Sequence, residues 1–162
     1  DGFSLLDTTI RDNFRLTFVG SFESSYAEKI FNEKIQKFQN IKYLGRFIDG
    51  LDKRDLYLNS HIFCLPTYYP YEGQPISILE AYATGCVVIT TNHSGIPYIF
   101  RDGKNGFLVE SKSKYAIMNL FKELLNKKEL FREIALNNRN EVIEKYRTSI
   151  YLNNIEKIIN IE

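Results

Sequence analysis

The feature that most constrains this chain is a pair of short strand-like runs, His61-Ile62-Phe63-Cys64-Leu65-Pro66 and Cys86-Val87-Val88-Ile89-Thr90-Thr91, joined by a segment that opens on Pro75 and closes on Gly85. Apolar runs of this length without polar alternation are strands covered on both faces. Proline suits the first position of a helix and glycine the position just past its end, so the join reads as a helix. Strand, helix and strand in that order make a parallel pair.

The alternation extends in both directions. Arg15 to Gly20 and Ile41 to Phe47 are strand-like, and helical spacing of apolar residues spans Tyr26 to Phe38 and Leu51 to Ser60. Phe107-Leu108-Val109 is a short strand or turn, followed by a helical tail from Lys112 to about Tyr146. In that tail Ile117, Phe121, Leu124, Leu125, Leu130, Phe131, Ile134, Val142 and Ile143 are expected to face the core. A last amphipathic helix is read over Ile150 to Ile161. The predicted fold class is α/β, a doubly wound parallel sheet with helices on both faces, as one domain over residues 1–162.

Composition sets limits only. The 162 residues, 44% hydrophobic and 25% charged, suffice for one domain with a core. A formal charge of +1 gives no nucleic-acid signal. Interleaved acids and lysines, as in Asn126-Lys127-Lys128-Glu129 and Glu141-Val142-Ile143-Glu144-Lys145, are expected to be solvated helix faces. Cys64 and Cys86 lack metal-ligand spacing and are expected to be buried, reduced thiols. No apolar run approaches the roughly 20 residues of a membrane span. The start Asp1-Gly2-Phe3-Ser4 is unlike a signal peptide, so a cytoplasmic setting is expected.

In sheets of this kind ligands sit at the carboxyl ends of the strands. Those ends carry Gly20-Ser21, Gly45-Arg46, Thr67-Tyr68-Tyr69 and Thr91-Asn92-His93-Ser94-Gly95, which makes Gly20 and Thr67 candidates for a ligand rim. Beside it stands Glu72-Gly73-Gln74-Pro75-Ile76-Ser77-Ile78-Leu79-Glu80. A helix starting at Pro75 leaves the N–H groups of Ile76, Ser77 and Ile78 without intrahelical partners, at the positive end of the helix dipole, where phosphate binds. Glu80 lies about one turn, roughly 5 Å, further along, where it accepts hydrogen bonds from hydroxyls without meeting the phosphate. Glu72, in the loop before the helix, faces the other end of the same ligand, and Gly73 lets the backbone come close. A phosphate flanked by hydroxyls at both ends describes a nucleotide sugar. Taken singly, each glutamate reads as a solvated surface acid. Tyr68, Tyr69 and Tyr71 are open between a stacking floor for a sugar and a loop anchor.

The pair Glu72 and Glu80, with Glu80-Ala81-Tyr82-Ala83-Thr84-Gly85-Cys86-Val87-Val88-Ile89 and Asp102-Gly103-Lys104-Asn105-Gly106-Phe107-Leu108-Val109, resembles the C-terminal domain of GT-B glycosyltransferases, in particular the retaining family 4. Phe18-Val19-Gly20, Tyr43-Leu44-Gly45-Arg46-Phe47 and Leu56 to Pro66 add to the resemblance in the same order, over about residues 3 to 146. It implies a Rossmann-like, nucleotide-sugar donor-binding domain. Glu72 is then the catalytic-centre residue at the donor sugar. Gly73, Gln74, Pro75, Ile76, Ser77 and Ile78 approach sugar hydroxyls and the β-phosphate. Glu80 holds the ribose, and Arg46 lines the nucleobase pocket.

The implied reaction is metal-free, cofactor-free transfer of a sugar from a nucleotide diphosphate donor to a glycan or lipid-linked acceptor, with retention. Surface polysaccharide or glycolipid synthesis, with peripheral association of the full-length enzyme at the inner membrane face, is the implied setting. The family pattern also places an arginine and a lysine ahead of the helix that Gly2-Phe3-Ser4-Leu5-Leu6 resembles. Those cations and the N-terminal acceptor domain are therefore expected outside this sequence, and the fragment alone is expected to be inactive. Tyr98 stands where the family pattern has glutamate, and packing of its ring against the sheet is the alternative role. Two other readings are a nucleotide-sugar epimerase of the same scaffold and a non-catalytic nucleotide-binding module. The chain shows neither the acid/base residues of the former nor the acidic cluster of a receiver domain.

Overall fold

The computed structural model describes residues 1–45 and 48–159. After a 3-10 turn at Phe3–Leu5, the elements run α1 (Thr8–Arg11), β1 (Leu16–Phe18), α2 (Ser25–Ile35), β2 (Ile41–Tyr43), α3 (Gly50–Leu58), β3 (Ile62–Leu65), α4 (Ile76–Ala83) and β4 (Val87–Thr90). A second 3-10 turn at Ile96–Tyr98 leads to β5 (Gly106–Leu108), α5 (Lys114–Leu124), α6 (Lys128–Lys145) and α7 (Thr148–Ile159). The alternation is as the sequence predicts. Every strand pairing is parallel, with β1 on β2 and with β3, β4 and β5 in that order.

β4 is the axis of the molecule, buried along its whole length. One face presents Val88 to a cluster with Ile78, Ala81 and Tyr82 of α4, against which Tyr57, Phe63 and Leu65 pack. The other presents Val87 and Ile89 to Phe107 of β5, Val109 just after it, Leu120 and Leu124 of α5 and Ile134 of α6. This two-sided burial is why the run reads as continuous apolar sequence. On the second face Ile117 of α5 reaches both that cluster and the one around Phe3, Leu6 and Phe121, which includes Leu16 of β1 and Ile41 of β2. α5 thus ties the β1–β2 pair to the three-stranded sheet.

The end of α4 is closed by backbone geometry. Gly85 adopts φ +80°, its N–H donates to the Tyr82 carbonyl at 3.0 Å, and the Cys86 N–H donates to the Ala81 carbonyl at 2.9 Å. This is the paired closure that a left-handed residue after the helix permits, and it feeds the chain directly into β4.

Several expectations are corrected. The tail is two helices, broken at residues 125–127 where the N–H groups of Asn126 and Lys127 turn back to the carbonyls of Glu123 and Leu124. Leu130 and Ile143 are exposed: Ile143 lies about half a turn round α6 from Ile134, and Leu130, although on the side of Ile134, belongs to the first turn of the helix. Glu141 is 5% exposed and not part of a solvated face. Its Oε2 accepts from Asn105 Nδ2 at 2.9 Å, and its Oε1 lies 2.6 Å from Lys145 Nζ and 3.6 Å from an Arg101 guanidinium nitrogen. Buried Asn138 completes this network, donating to the carbonyls of Cys86 and Asn105. Cys86 is buried as expected, but Cys64 is exposed, on a strand that among the described residues pairs with β4 alone.

Candidate functional site

The loops after β3 and β4 form a braced rim. The Thr91 hydroxyl donates to the Thr67 carbonyl, and His93 Nε2 lies 2.7 Å from the Tyr69 carbonyl. The Glu72 N–H donates to the Tyr69 carbonyl at 3.1 Å, while the Gly95 N–H reaches the Glu72 carbonyl at 3.4 Å. A Cβ at Gly95 would overlap the Gly73 carbonyl oxygen, so only glycine lets the two loops come this close. These contacts fix the backbone on both sides of Glu72. Its carboxylate has no hydrogen bond to any described residue and is half-buried.

Pro75 is the cap of α4 and not its first helical residue, with φ −64° and ψ 110°. The shift by one residue matters, because the Ile78 N–H then closes on the Pro75 carbonyl at 3.0 Å. The N–H groups of Ile76 and Ser77 have no acceptor among the described residues. Two donors, not three, are therefore open at the positive end of this helix. Ile76 is 71% exposed there, an apolar side chain standing in solvent beside the open donors, whereas Ile78 is buried in the core. Gly73 and Gln74 are exposed in the loop.

Glu80 is on the same helix and partly buried. Its Oε1 lies 2.7 Å from Lys53 Nζ, and its Oε2 accepts from the Tyr57 hydroxyl at 3.4 Å. Lys53 also lies 3.6 Å from Asp49 Oδ1. The hydrogen bond to Glu80 raises the Lys53 pKa against the opposing effect of desolvation. Burial, and then the Glu80 charge, push the Tyr57 phenol up, so it stays a neutral donor.

At the other sheet, Gly20 sits at φ +132°, with its N–H on the Gly45 carbonyl at 3.1 Å and its carbonyl accepting from the Tyr43 hydroxyl at 2.9 Å. Arg46 lies outside the described residues. The structure thus gathers Thr67 and residues 72–78 on one rim, sets Glu80 behind the start of the helix, and places Gly20 at the carboxyl end of β1.

Tyr69 and Tyr71 meet edge to face at 5.6 Å, and the Lys112 ammonium lies 4.8 Å from the Tyr68 ring centre. Tyr98 is 89% exposed, which rules out packing against the sheet. Sequence reasoning passed over Asp49, Lys53 and Tyr57. Their spacing, one helical turn apart along α3, was the available signal, but which face of α3 meets α4 is a tertiary matter.

The family model of glycosyl transferases group 1 matches residues 2–141. This chain belongs to that family. CapM of Staphylococcus aureus, a capsular polysaccharide biosynthesis glycosyltransferase, is 28% identical over 152 residues, covering 91% of this chain and 38% of CapM. A poly(ribitol-phosphate) alpha-N-acetylglucosaminyltransferase of the same species is 29% identical over 139 residues, 84% of this chain and 28% of its own length. The chain thus spans well under half of these relatives. Among solved structures, the C-terminal domain of a glycosyl transferase group 1 family protein from Francisella tularensis superposes with a TM-score of 0.66 at 28% identity, over 76% of this chain and 64% of that one. Anabaena HepE in complex with UDP-glucose gives 0.76 at 18% identity, over 91% and 41% respectively, a likeness of fold alone. The fold is that of GT-B glycosyltransferase C-terminal domains. Among the described residues no helix is long and apolar enough to cross a membrane.

Proposed function

We propose that residues 1–162 form the donor-binding half of a retaining glycosyltransferase that moves a hexose-type sugar from a nucleotide diphosphate to a glycan or lipid-linked acceptor. One observation carries the reading. The braced loop and the start of α4 set two open N–H donors between an unpartnered carboxylate, Glu72, and a tethered one, Glu80. The donors suit a diphosphate, reinforced by the helix dipole. Glu72, held on the rim, accepts from hydroxyls of the sugar at the reacting centre, with the backbone of Gly73, Gln74, Pro75, Ile76, Ser77 and Ile78 alongside. Glu80 accepts from the ribose. Gly20 and Thr67 border the pocket towards the sheet edge, and the role proposed for Arg46, whose position lies outside the described residues, is at the nucleobase.

The proposal includes no metal ion and no cofactor besides the donor substrate. Charge on the diphosphate is offset in this chain by the helix start. CapM, by its name, belongs to capsular polysaccharide synthesis, and the proposed setting is likewise a surface polysaccharide or glycolipid, made in the cytoplasm at the inner membrane face. Titration of the chain with UDP, GDP and ADP, with Glu80→Ala as comparison, tests the ribose assignment. One nucleotide binds the parent best, and Glu80→Ala weakens it about tenfold or more, as expected for a lost charge-assisted hydrogen bond. Equal binding by the variant removes Glu80 from the site, and robust sugar transfer by the 162-residue chain alone refutes the half-site reading.

A further inference from the structure

The Glu80 carboxylate is held from α3 at both oxygens. Asp49, Lys53 and Tyr57 follow one another at helical spacing, and this row meets α4 at Glu80: Lys53 Nζ lies 2.7 Å from Oε1, and the Tyr57 hydroxyl lies 3.4 Å from Oε2. The same hydroxyl lies 3.3 Å from the Ser77 carbonyl at the open end of α4, so its single proton is shared between that carbonyl and Glu80 Oε2. The contact at Oε1 is short and charge-assisted, the stronger kind of hydrogen bond.

A glutamate on a helix surface samples several rotamers, and fixing them costs free energy whenever a ligand has to do it. Here the protein has already done so. An ionised carboxylate has about four acceptor positions, two on each oxygen. With Lys53 on one oxygen and Tyr57 on the other, each oxygen keeps one. The pair left over is a two-pronged acceptor, and its complement is two adjacent O–H donors.

We propose that Lys53 is a positioning residue that, together with Tyr57, fixes Glu80 as a bidentate acceptor for a vicinal diol, so that this site selects ribonucleotides over 2′-deoxyribonucleotides. The inference rests on the reading of Glu80 as the ribose acceptor and adds the residues that make it selective. Lys53 acts through Glu80 and not on the ligand, so its removal is felt where the diol is present. The shared α3–α4 contact also couples the ribose subsite to the helix start through Ser77.

The test is calorimetric titration of the 162-residue chain with UDP, GDP and ADP, then with the 2′-deoxy form of whichever binds best. Variants are Lys53→Met, Lys53→Arg, Glu80→Gln and the Lys53→Met/Glu80→Gln double variant. The parent prefers the ribonucleotide. Lys53→Met weakens the ribonucleotide about tenfold, the scale of one ordered side chain and one hydrogen bond, and the deoxynucleotide by at most about twofold. Lys53→Arg, which keeps a charged donor, retains most of the selectivity. In the double variant the two losses do not add, since both act through one carboxylate.

Equal weakening of both nucleotides by Lys53→Met, or additive losses in the double variant, overturns the positioning role. So does retained selectivity in Lys53→Met when Glu80→Gln abolishes it. Selectivity that survives Glu80→Gln, or the absence of binding by any of the three nucleotides, overturns the reading of Glu80 itself. The two failures are therefore separate results.

Discussion

Replacing Asn138 with alanine tests whether the buried polar network, and not only the apolar core, holds α6 on the sheet. Asn138 is fully buried. Its Nδ2 donates to the Cys86 carbonyl at 2.8 Å and the Asn105 carbonyl at 2.9 Å, and its Oδ1 accepts from Asn105 Nδ2 at 2.9 Å. On truncation the Asn105 carbonyl keeps the Val88 N–H at 3.2 Å, and Asn105 Nδ2 keeps Glu141. The Cys86 carbonyl, at the entry to β4, loses its side-chain donor inside the core. An orphaned buried acceptor costs about 1–3 kcal/mol, and the void left by the amide adds about 1 kcal/mol.

The expected loss is therefore roughly 2–4 kcal/mol, a large share of the ~5–15 kcal/mol that usually separates folded from unfolded. In a chain of this length it lowers Tm by roughly 4–16 °C. The chain has no tryptophan, so urea unfolding followed by far-ultraviolet circular dichroism is the suitable assay. Asn137→Ala is the control, because Asn137 Nδ2 donates to the exposed-side Lys104 carbonyl at 3.1 Å, which its loss leaves to water, and meets Asn138 Oδ1 only at 3.5 Å, the outer limit of a hydrogen bond. An Asn138→Ala cost below about 1 kcal/mol, or one matched by Asn137→Ala, would refute the account of the network.

Two further outcomes follow from the geometry. Gly95→Ala places a methyl group on the Gly73 carbonyl oxygen, so the Glu72 loop must shift. Nucleotide affinity is expected to fall while the secondary structure survives, and unchanged affinity by titration would detach this loop contact from the site. Glu141 has its pKa held below the ordinary value: burial alone would raise it, but the hydrogen bonds from Lys145 and Asn105 outweigh that. Its stabilising contribution is present above the unfolded pKa of about 4.3 and is lost as pH falls through the lower folded value. Unfolding free energy measured from pH 7 downwards should drop more steeply below about pH 5 in the parent than in Glu141→Gln. Equal slopes would contradict the assignment.

Much of the architecture was legible from residue types. Continuous apolar runs marked β3 and β4 because both faces of those strands are covered. Pro75 and Gly85 marked the ends of α4 because one lacks an N–H and the other tolerates φ +80°. The placing of Glu72 before that helix and Glu80 within it follows from the same punctuation. What misled was local pattern standing in for packing. The acids and lysines around Glu141 look like a solvated face, yet α6 turns that acid inward against Asn105. Cys64 lies in an apolar run, yet among the described residues its strand pairs with β4 alone.

The sequence alone therefore determined the α/β alternation, the helix that presents open N–H donors, and the family. Each depends on backbone preferences within a few residues or on an ordered series of motifs. Tertiary structure alone decided that Gly95 must lack a side chain for the rim to close, and that Lys53 and Tyr57 of α3 grip Glu80. Those contacts join residues far apart in the chain, and their existence depends on the depth and rotation at which helices seat on the sheet. Helical periodicity constrains that seating to a face but does not choose the partner.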